Sequence, residues 1–380
     1  MSVAVAAEAL CPRDEADLAE AVRGANGPLR ILGGGTRPVG RPVAGSALST
    51  AGLRGVTLYE PGALTLVVKA GTPLAEVERL LAAEGQRLPF EPMDHRDLLG
   101  SSGRPTIGGV VAANVSGPRR VQAGACRDFL IGVRFVDGHG AVVKNGGRVM
   151  KNVTGYDLAR LMAGSFGTLG VLTEVAFRLL PGPAASATLE IEGLDDAMAV
   201  QAMTAALTSP YEVTGAAHLP GQGTYLRLEG FEAQIAYRAA RLAERLASFG
   251  PVSVGRDVAA SAAQWAAIRD VAAFHGRSGD VWRVSVKPSD GPEVAARAGA
   301  EAVQYDWGGG LVWLLMPEGT DLRQRLQGLR GHATLMRASP ATRARIPAFH
   351  PEPAPVAAVS ARLRAQFDPR GLFNPGLMAA

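Results

Sequence analysis

Glycine is concentrated in three short segments of the first 175 residues, and this distribution constrains the fold more than any other feature. The segments are "ILGGGTR" (31–37), "TIGGVVAANVSG" (106–117) and "AGSFGTLGVLTE" (163–174). Glycine costs backbone entropy, so repeated glycines indicate positive φ or a group that comes close to the main chain. One such segment alone is compatible with a tight turn or with close helix packing. Three together predict that the chain wraps a large, extended ligand.

The glycine triplet at 33–35 follows an apolar run at 29–32 that is predicted to be a strand. Successive backbone N–H groups without side chains form a concave nest that binds anions such as phosphate. Neither common phosphate motif fits, because no Gly-Lys-Ser/Thr follows and the third glycine of GxGxxG would fall on Pro38. Pro38 and Gly40 also argue against a helix beginning here, so a nest would bind phosphate without a helix dipole.

The composition is that of a globular chain long enough for two or three domains. Of the 380 residues, 47% are hydrophobic and 19% are charged, and the net charge is +4. The arginines are scattered rather than clustered, so nucleic-acid binding is not indicated. The two cysteines, Cys11 and Cys126, exclude a cysteine-rich metal or iron–sulfur centre, and the six histidines show no ligand spacing. We expect no metal site.

The sequence carries no export or membrane signal. The opening "MSVAVAAEALCPRDE" lacks the basic region and the full-length apolar core of a secretion signal. No segment reaches the roughly 18 consecutive apolar residues of a membrane span. We therefore expect a cytoplasmic protein that meets the inner face of a membrane only through a complex, if at all.

Secondary-structure patterns divide the chain into three parts and predict an α+β fold. Residues 1–182 alternate short helices and strands and end at the boundary sequence "PGP". Residues 183–338 contain the order βαββαβ twice, which is the ferredoxin-like pattern. The two units are predicted to form one antiparallel sheet, with helices on one face and the other face free to cover a ligand. Residues 339–380 contain a predicted helix and are expected to return to the first part.

In combination, the three glycine-rich segments resemble those of the FAD-binding flavoproteins of the vanillyl-alcohol-oxidase or PCMH type. In that family "ILGGGTR" corresponds to the pyrophosphate loop, "TIGGVVAANVSG" to the second FAD loop and "GSFGTLGVLTEVAFRL" to the adenine-side strand. The ending "FDPRGLFNPG" is typical of the hydroxyacid-oxidising branch, and the chain resembles the FAD-binding E subunits of bacterial glycolate oxidase. The resemblance implies a PCMH-type FAD-binding domain in 1–182, a cap domain in 183–338, and a C-terminal segment that returns to the FAD domain.

The resemblance also implies which residues contact FAD. Those expected to wrap the pyrophosphate are Gly33, Gly34, Gly35, Thr36 and Arg37. Those expected to line the ribityl chain and the ring are Gly108, Gly109, Ala112, Asn114, Ser116 and Gly117. Those expected at the adenine half are Gly164, Gly167, Thr168, Gly170 and Val171. Asn374 would lie near the ring system, whereas for Arg119 an ordinary surface position is favoured over a role in binding.

Two positions depart from the family pattern. Relatives with covalent flavin often carry histidine after the loop glycines, where this chain has Thr36, so FAD is expected to be noncovalent. Catalytic relatives carry a "GHxGDGNxH"-like stretch that supplies metal ligands, and the comparable stretch here is "DWGGGLVWLLMP", with Trp307 and Trp313 near the expected histidines. Indole has no lone pair for a metal, so this metal site is expected to be lost. The two tryptophans are interpreted either as an apolar surface for a partner or as ordinary core.

The resemblance thus implies a FAD-binding subunit of a complex that oxidises glycolate, a small 2-hydroxyacid. Its partners would be a catalytic flavoprotein paralogue and an iron–sulfur subunit that takes the electrons onward. Two alternatives stay open: a stand-alone FAD-dependent D-2-hydroxyacid dehydrogenase, and a flavin-binding subunit that serves only assembly. The missing histidines count against the first alternative and the intact loops against the second. The sequence identifies no catalytic base and does not distinguish glycolate from lactate.

Overall fold

The computed structural model of the chain describes residues 9–147 and 155–379. Its main elements are a five-stranded sheet and an eight-stranded sheet, and neighbouring strands run antiparallel within each. Helices pack against both sheets. This mixture confirms the predicted α+β fold class.

The first part of the chain contains seven α-helices and nine strands among the described residues. The helices are α1 (Glu15–Arg23), α2 (Leu74–Ala83), α3 (Arg96–Leu99), α4 (Ile107–Ala112), α5 (Arg120–Ala123), α6 (Cys126–Phe129) and α7 (Leu158–Met162). The strands are β1 (Leu29–Leu32), β2 (Ser46–Ser49), β3 (Val56–Glu60), β4 (Thr65–Lys69), β5 (Gln86–Arg87), β6 (Leu130–Val136), β7 (Val142–Gly146), β8 (Val171–Arg178) and β9 (Leu180–Pro181).

These strands form three sheets. β1 and β2 pair in parallel, β5 pairs with β9, and the five-stranded sheet has the order β3-β4-β8-β6-β7. Helix α4 packs on β4 and β8 through the buried side chains of Ile107, Val110 and Val111. Thr106 is the N-cap residue of α4 and the first residue of the second glycine-rich segment. The packing of α4 therefore fixes the position of this segment beside the chain that follows β1.

The eight-stranded sheet and its helices are called the cap below. The strands are β10 (Ala185–Ile191), β11 (Val213–Leu219), β12 (Gly223–Gly230), β13 (Val252–Gly255), β14 (Asp280–Val286), β15 (Ala302–Asp306), β16 (Leu311–Met316) and β17 (Gly331–Arg337). The helices are α8 (Asp196–Leu207), α9 (Glu232–Leu246), α10 (Val258–Arg269), α11 (Gly291–Ala298) and α12 (Leu322–Arg325).

The sheet of the cap has the order β13-β10-β12-β11-β15-β16-β14-β17. Each half is one βαββαβ unit with the ferredoxin-like strand order, and the halves join at β11 and β15, where His218 lies opposite Tyr305. The predicted pair of units in one antiparallel sheet is therefore confirmed.

Helices α8, α9 and α11 share one face of this sheet, as predicted, but α10 lies on the other face. The indole N–H of its Trp265 donates to Thr188 Oγ1 at 3.0 Å. Gly215 makes room for that ring, since a Cβ there would come within 2.6 Å of it. The expectation that this face is free of helices is therefore wrong for α10, which belongs to neither repeat.

The last described residues lie beside the first part of the chain. After α13 (Pro340–Arg345) and α14 (Ala354–Phe367), the backbone N–H of Leu29 donates to Leu372 O at 2.7 Å, and Asn374 N–H donates to Leu29 O. The domain boundaries at residues 182 and 338 stay a prediction. Within the described ranges, no helix has the length and apolar character needed to cross a bilayer.

Candidate functional site

A cavity of about 550 Å³ opens between β1, the start of α4 and the tail, and its volume is typical of cofactor pockets. The residues predicted to contact FAD that line it are Gly33, Gly34, Gly35, Thr36, Arg37, Gly108, Gly109, Ala112, Gly167, Gly170 and Asn374. All three glycine-rich segments therefore meet in one cavity. Lining residues that the sequence did not single out include Thr106, Ser165, Phe166, Arg343 and Leu377.

The other predicted residues, which do not line this cavity, are Asn114, Ser116, Gly117, Gly164, Thr168 and Val171. Two of them hold the second segment to α6: Asn114 Oδ1 accepts from Arg127 N–H at 3.1 Å, and Ser116 Oγ accepts from Cys126 N–H at 3.0 Å. Thr168 closes its own turn on Ser165 O. These residues shape the loops behind the lining, and their contact with FAD stays a prediction.

The three consecutive glycines have different surroundings. A Cβ on Gly34 would lie 1.6 Å from the carbonyl oxygen of Arg104, and one on Gly33 would lie 2.5 Å from Thr106 Oγ1. These two glycines therefore allow the chain directly after β1 to pack against residues 104–106, where the second segment begins. Gly35 has a φ of +69°, and its missing side chain points into open space. Among the three, only Gly35 could carry a Cβ without meeting other protein atoms, and it lines the cavity.

The cavity is strongly basic. Its lining contains Arg30, Arg37, Arg41 and Arg343, and no carboxylate is among the described residues that line it. The Arg343 guanidinium reaches Pro38 O, beside the first segment. Bare backbone N–H groups and several guanidinium groups together are complementary to a diphosphate. The residues present thus fit the pyrophosphate of FAD.

Arg37 is held by a neutral histidine. Its Nε donates to His95 Nδ1 at 3.2 Å. Burial lowers the pKa of Arg37 to about 10, so the guanidinium stays charged at neutral pH. Burial, and then the positive charge of Arg37, lower the pKa of His95 to about 3, so the imidazole stays neutral and accepts the bond. The pair keeps a cation beside Gly109.

Asn374 connects the first and third segments. Its Oδ1 accepts from Ile31 N–H and its Nδ2 donates to Phe166 O, both at 2.8 Å. Asn374 lines the cavity together with Gly108 and Gly109 of the second segment, and its position near the ring system stays a prediction. Its two hydrogen bonds fix the spacing between β1 and the turn at Phe166.

Arg119 is buried, at 4% exposure, so the favoured interpretation as a surface arginine is wrong. Its guanidinium forms an ion pair with Glu229 of β12, and its backbone N–H donates to Glu91 Oε2 at 2.9 Å. Arg227 of the same strand pairs with Glu91 at 2.9 Å. Desolvation and the positive charge of Arg87 lower the pKa of Arg119 to about 9. This network ties the second glycine-rich segment to the cap.

Trp307 and Trp313 are buried at 9% and 3% exposure, so they belong to the core. Their interpretation as an exposed apolar surface is therefore wrong. The Trp307 indole N–H donates to Gly117 O at 3.0 Å, a second link between the cap and the second segment. Among the described residues, no group of three or more His, Cys, Asp or Glu side chains is arranged to hold a metal ion.

The family model described as "FAD binding domain" matches residues 6–146. The fold is similar to that of 4-ethylphenol oxidase from Gulosibacter chungangensis, with a TM-score of 0.68 and 15% identity over 97% of this chain and 88% of that one. Fold and cavity thus define a PCMH-type FAD-binding flavoprotein.

The relatives in sequence identify the family within this class of flavoproteins. The chain is 37% identical over 357 residues to "Glycolate oxidase subunit GlcE" of Escherichia coli, covering 93% of each chain. It is 36% identical over 126 residues to "Glycolate oxidase subunit GlcD" of Bacillus subtilis, covering 33% of this chain and 25% of that one. The chain belongs to the family of FAD-binding oxidoreductases that contains glycolate oxidase subunit GlcE, and FAD is its cofactor.

Proposed function

We propose that this chain is the FAD-binding subunit of a complex that oxidises glycolate to glyoxylate. The observation that carries this proposal is the similarity to GlcE over 93% of both chains, with a cavity in which all three glycine-rich segments meet. FAD, when bound, accepts a hydride and releases electrons one at a time, which suits a relay between a substrate and an iron–sulfur centre.

The residues of the chain bind and orient the cofactor. The N–H groups of the first segment and the arginines of the lining hold the pyrophosphate, and Arg37 is kept in place by neutral His95. No histidine follows the triplet, where Thr36 stands, and this supports noncovalent binding. The cap holds the end of the second segment in place through the bond from Trp307 to Gly117 O and the ion pair between Glu229 and Arg119.

The proposed partners are a catalytic flavoprotein paralogue and an iron–sulfur subunit, in a cytoplasmic complex that meets the membrane only through other subunits. Trp307 supports this division of labour. Its one polar atom already donates to Gly117 O, so it cannot hold a metal that would orient a 2-hydroxycarboxylate.

A stand-alone D-2-hydroxyacid dehydrogenase is the second candidate, and Asp306 favours it. Asp306 is the last residue of β15. Its side chain lies on the same face of the sheet as that of Gln304, which is paired with Trp313 of β16. Burial raises the pKa of Asp306 to about 7, although the N–H of Trp307 donates to it. A carboxylate with such a pKa accepts a proton near neutral pH, but Asp306 is 3% exposed and does not line the cavity, so this candidate ranks second.

The two candidates predict different activities for the isolated chain. With glycolate or D-lactate and an artificial electron acceptor, a subunit of a complex turns over negligibly alone and becomes active when co-purified with its partners. Substantial turnover by the isolated chain, abolished by Asp306→Asn, would support the dehydrogenase instead. FAD-loaded chain that neither turns over nor activates its partners would support a role in assembly only.

A further inference from the structure

Residues 90–101, called the bridge segment below, contact both the cap and the first glycine-rich segment. Near its start, Glu91 pairs with Arg227 of the cap at 2.9 Å. At its end, Ser101 Oγ donates to Thr36 O at 2.8 Å, and Thr36 follows the glycine triplet. One stretch of main chain therefore connects the cap with the loop that is expected to hold the pyrophosphate.

On the side of the cavity, the bridge segment holds Arg37. The Nε of Arg37 donates to His95 Nδ1 at 3.2 Å, and its Nη2 donates to Met93 O at 3.4 Å. Both acceptor residues are buried, and Arg37 itself lines the cavity. The position of Met93 and His95 therefore determines where this guanidinium lies in the cavity.

On the side of the cap, the bridge segment is held by two hydrogen bonds. The backbone N–H of Asp94 donates to Oδ1 of Asp270, the C-cap residue of α10, at 2.9 Å. Arg337, the last residue of β17, donates from Nη1 to Leu98 O at 2.9 Å. Asp94 lies directly between the two residues that hold Arg37, so the bond to Asp270 fixes the peptide units on which that guanidinium depends.

Asp270 is itself held in place. Arg269 donates to both of its carboxylate oxygens at 2.8 Å, and His275 Nε2 lies 2.8 Å from its carbonyl oxygen. The next residue, Val271, is buried and has a φ of +56°, which is an outlier for a β-branched side chain. Such strain persists where the surrounding contacts over-determine the conformation. The corner at the end of α10 is therefore a fixed support for the bridge segment.

We propose that Asp270 is a positioning residue for FAD binding, which acts on Arg37 through the bridge segment. The inference rests on the predicted contact between Arg37 and the pyrophosphate. Neither Asp270 nor His95 is among the described residues that line the cavity, so the action is indirect. Coupling of this kind is reciprocal: the docked end of α10 strengthens FAD binding, and bound FAD strengthens that docking by the same factor.

The test is a double-mutant cycle on the Kd for FAD, measured by fluorescence titration of the apoprotein. Asp270→Ala removes the acceptor and should raise the Kd about fivefold. In an Arg37→Gln background the guanidinium that Asp270 positions is absent, so Asp270→Ala should change the Kd by less than about twofold. Asp270→Asn keeps an oxygen for the N–H of Asp94 and should restore most of the affinity. Asp257→Ala, at the exposed N-cap of the same helix, should leave the Kd unchanged.

Hydrogen exchange followed by mass spectrometry tests the reciprocal effect on wild type. Addition of FAD should slow exchange in residues 31–37 and also in residues 264–275, around the end of α10. In Asp270→Ala only the first effect should remain. This measurement decides the question if Asp270→Ala does not fold or if Arg37→Gln binds too little FAD to titrate, because wild type without slowed exchange in 264–275 contradicts the coupling.

Three results of the cycle would overturn the inference: an unchanged Kd in Asp270→Ala, the same increase in both backgrounds, or an equal loss in the alanine and asparagine variants. Thermal unfolding of each variant is measured first. FAD binding by Arg37→Gln that is as tight as that of wild type would refute the contact on which the inference rests, and the inference with it. Negligible glycolate turnover by the reconstituted complex would contradict the proposed function alone, so the two failures are distinguishable.

Discussion

The indole N–H of Trp307 donates a 3.0 Å hydrogen bond to the carbonyl oxygen of Gly117. The donor lies in the cap and the acceptor in the second glycine-rich segment, 190 residues earlier in the chain. A side chain of the cap therefore fixes the main chain of a loop that forms part of the flavin site. FAD affinity and the attachment of the cap should be coupled through this bond.

Replacement of Trp307 by phenylalanine tests that coupling. The variant removes one of the two donors to Gly117 O, which still accepts from Arg120 N–H at 3.1 Å, so we expect a cost of about 0.5–1.5 kcal/mol in the free energy of unfolding. We expect weaker FAD binding as well, measured by fluorescence titration of the apoprotein. Trp313→Phe is the matched control, because it removes a similar ring that forms no comparable bond to Gly117. Equal effects of the two substitutions on FAD affinity would contradict the coupling.

Gly35→Glu should abolish FAD retention. Gly35 lines the basic cavity and has open space at its Cβ position, so a glutamate there brings a negative charge to the loop that is expected to hold the pyrophosphate. Gly100→Glu is the control, because Gly100 has a similar φ of +61°, faces open space and does not line the cavity. Both variants should lose about 1 kcal/mol of stability through backbone strain. Flavin-to-protein ratios after purification should fall only for Gly35→Glu.

Arg343→Gln should raise the Kd for FAD about tenfold. The substitution removes one positive charge from the lining and the bond to Pro38 O that closes the first segment. The effect should shrink at high salt, because salt screens the attraction to the diphosphate. Arg345→Gln, two residues later and exposed, is the control. An unchanged Kd in Arg343→Gln at low salt would show that this arginine does not contact the cofactor.

Asp306 should make the protein less stable as the pH rises. Burial raises its pKa to about 7 in the folded state, whereas an unfolded aspartate titrates near pH ~3.9. Between about pH 4 and pH 7 the folded state binds more protons at this site, so stability falls by up to roughly 1.4 kcal/mol per pH unit. Asp306→Asn should remove this contribution, which denaturant unfolding at pH 5 and pH 8 measures. The exposed N-cap residue Asp257 provides the control substitution. A variant that is no more stabilised relative to wild type at pH 8 than at pH 5 would contradict the shifted pKa.

Much of the fold follows from local patterns. The two βαββαβ units could be predicted because the periodicities of helices and strands are properties of short segments. The order of the strands in the sheet then follows from the repeat. The face of the sheet that helix α10 covers was not predictable, because it depends on a contact between Trp265 and Gly215, which are 50 residues apart in the sequence. The periodicity of a helix does not indicate which face of a sheet the helix will cover.

The parts of the candidate site that are formed by the glycine-rich main chain could be predicted from the sequence. The glycines at 33–35 and 108–109 indicate from the sequence alone that another group comes close to the main chain. The separate roles of Gly34 and Gly35 became clear only from the structure. Arg343 was not predictable, since its partner Pro38 lies 305 residues away. Thr106 could have been predicted as the N-cap of α4, because threonine directly before a helix is typical of that position. The burial of Trp307 was undecided because core and interface share the same apolar pattern.

The most direct test of the flavin site is the visible spectrum of the chain purified alone, before and after acid precipitation. A FAD-binding subunit with a noncovalent site should carry about one flavin per chain, with all of it in the supernatant after precipitation. Colourless protein that cannot be reconstituted with FAD would contradict the function proposed for the cavity. Flavin that stays with the precipitate would contradict noncovalent binding.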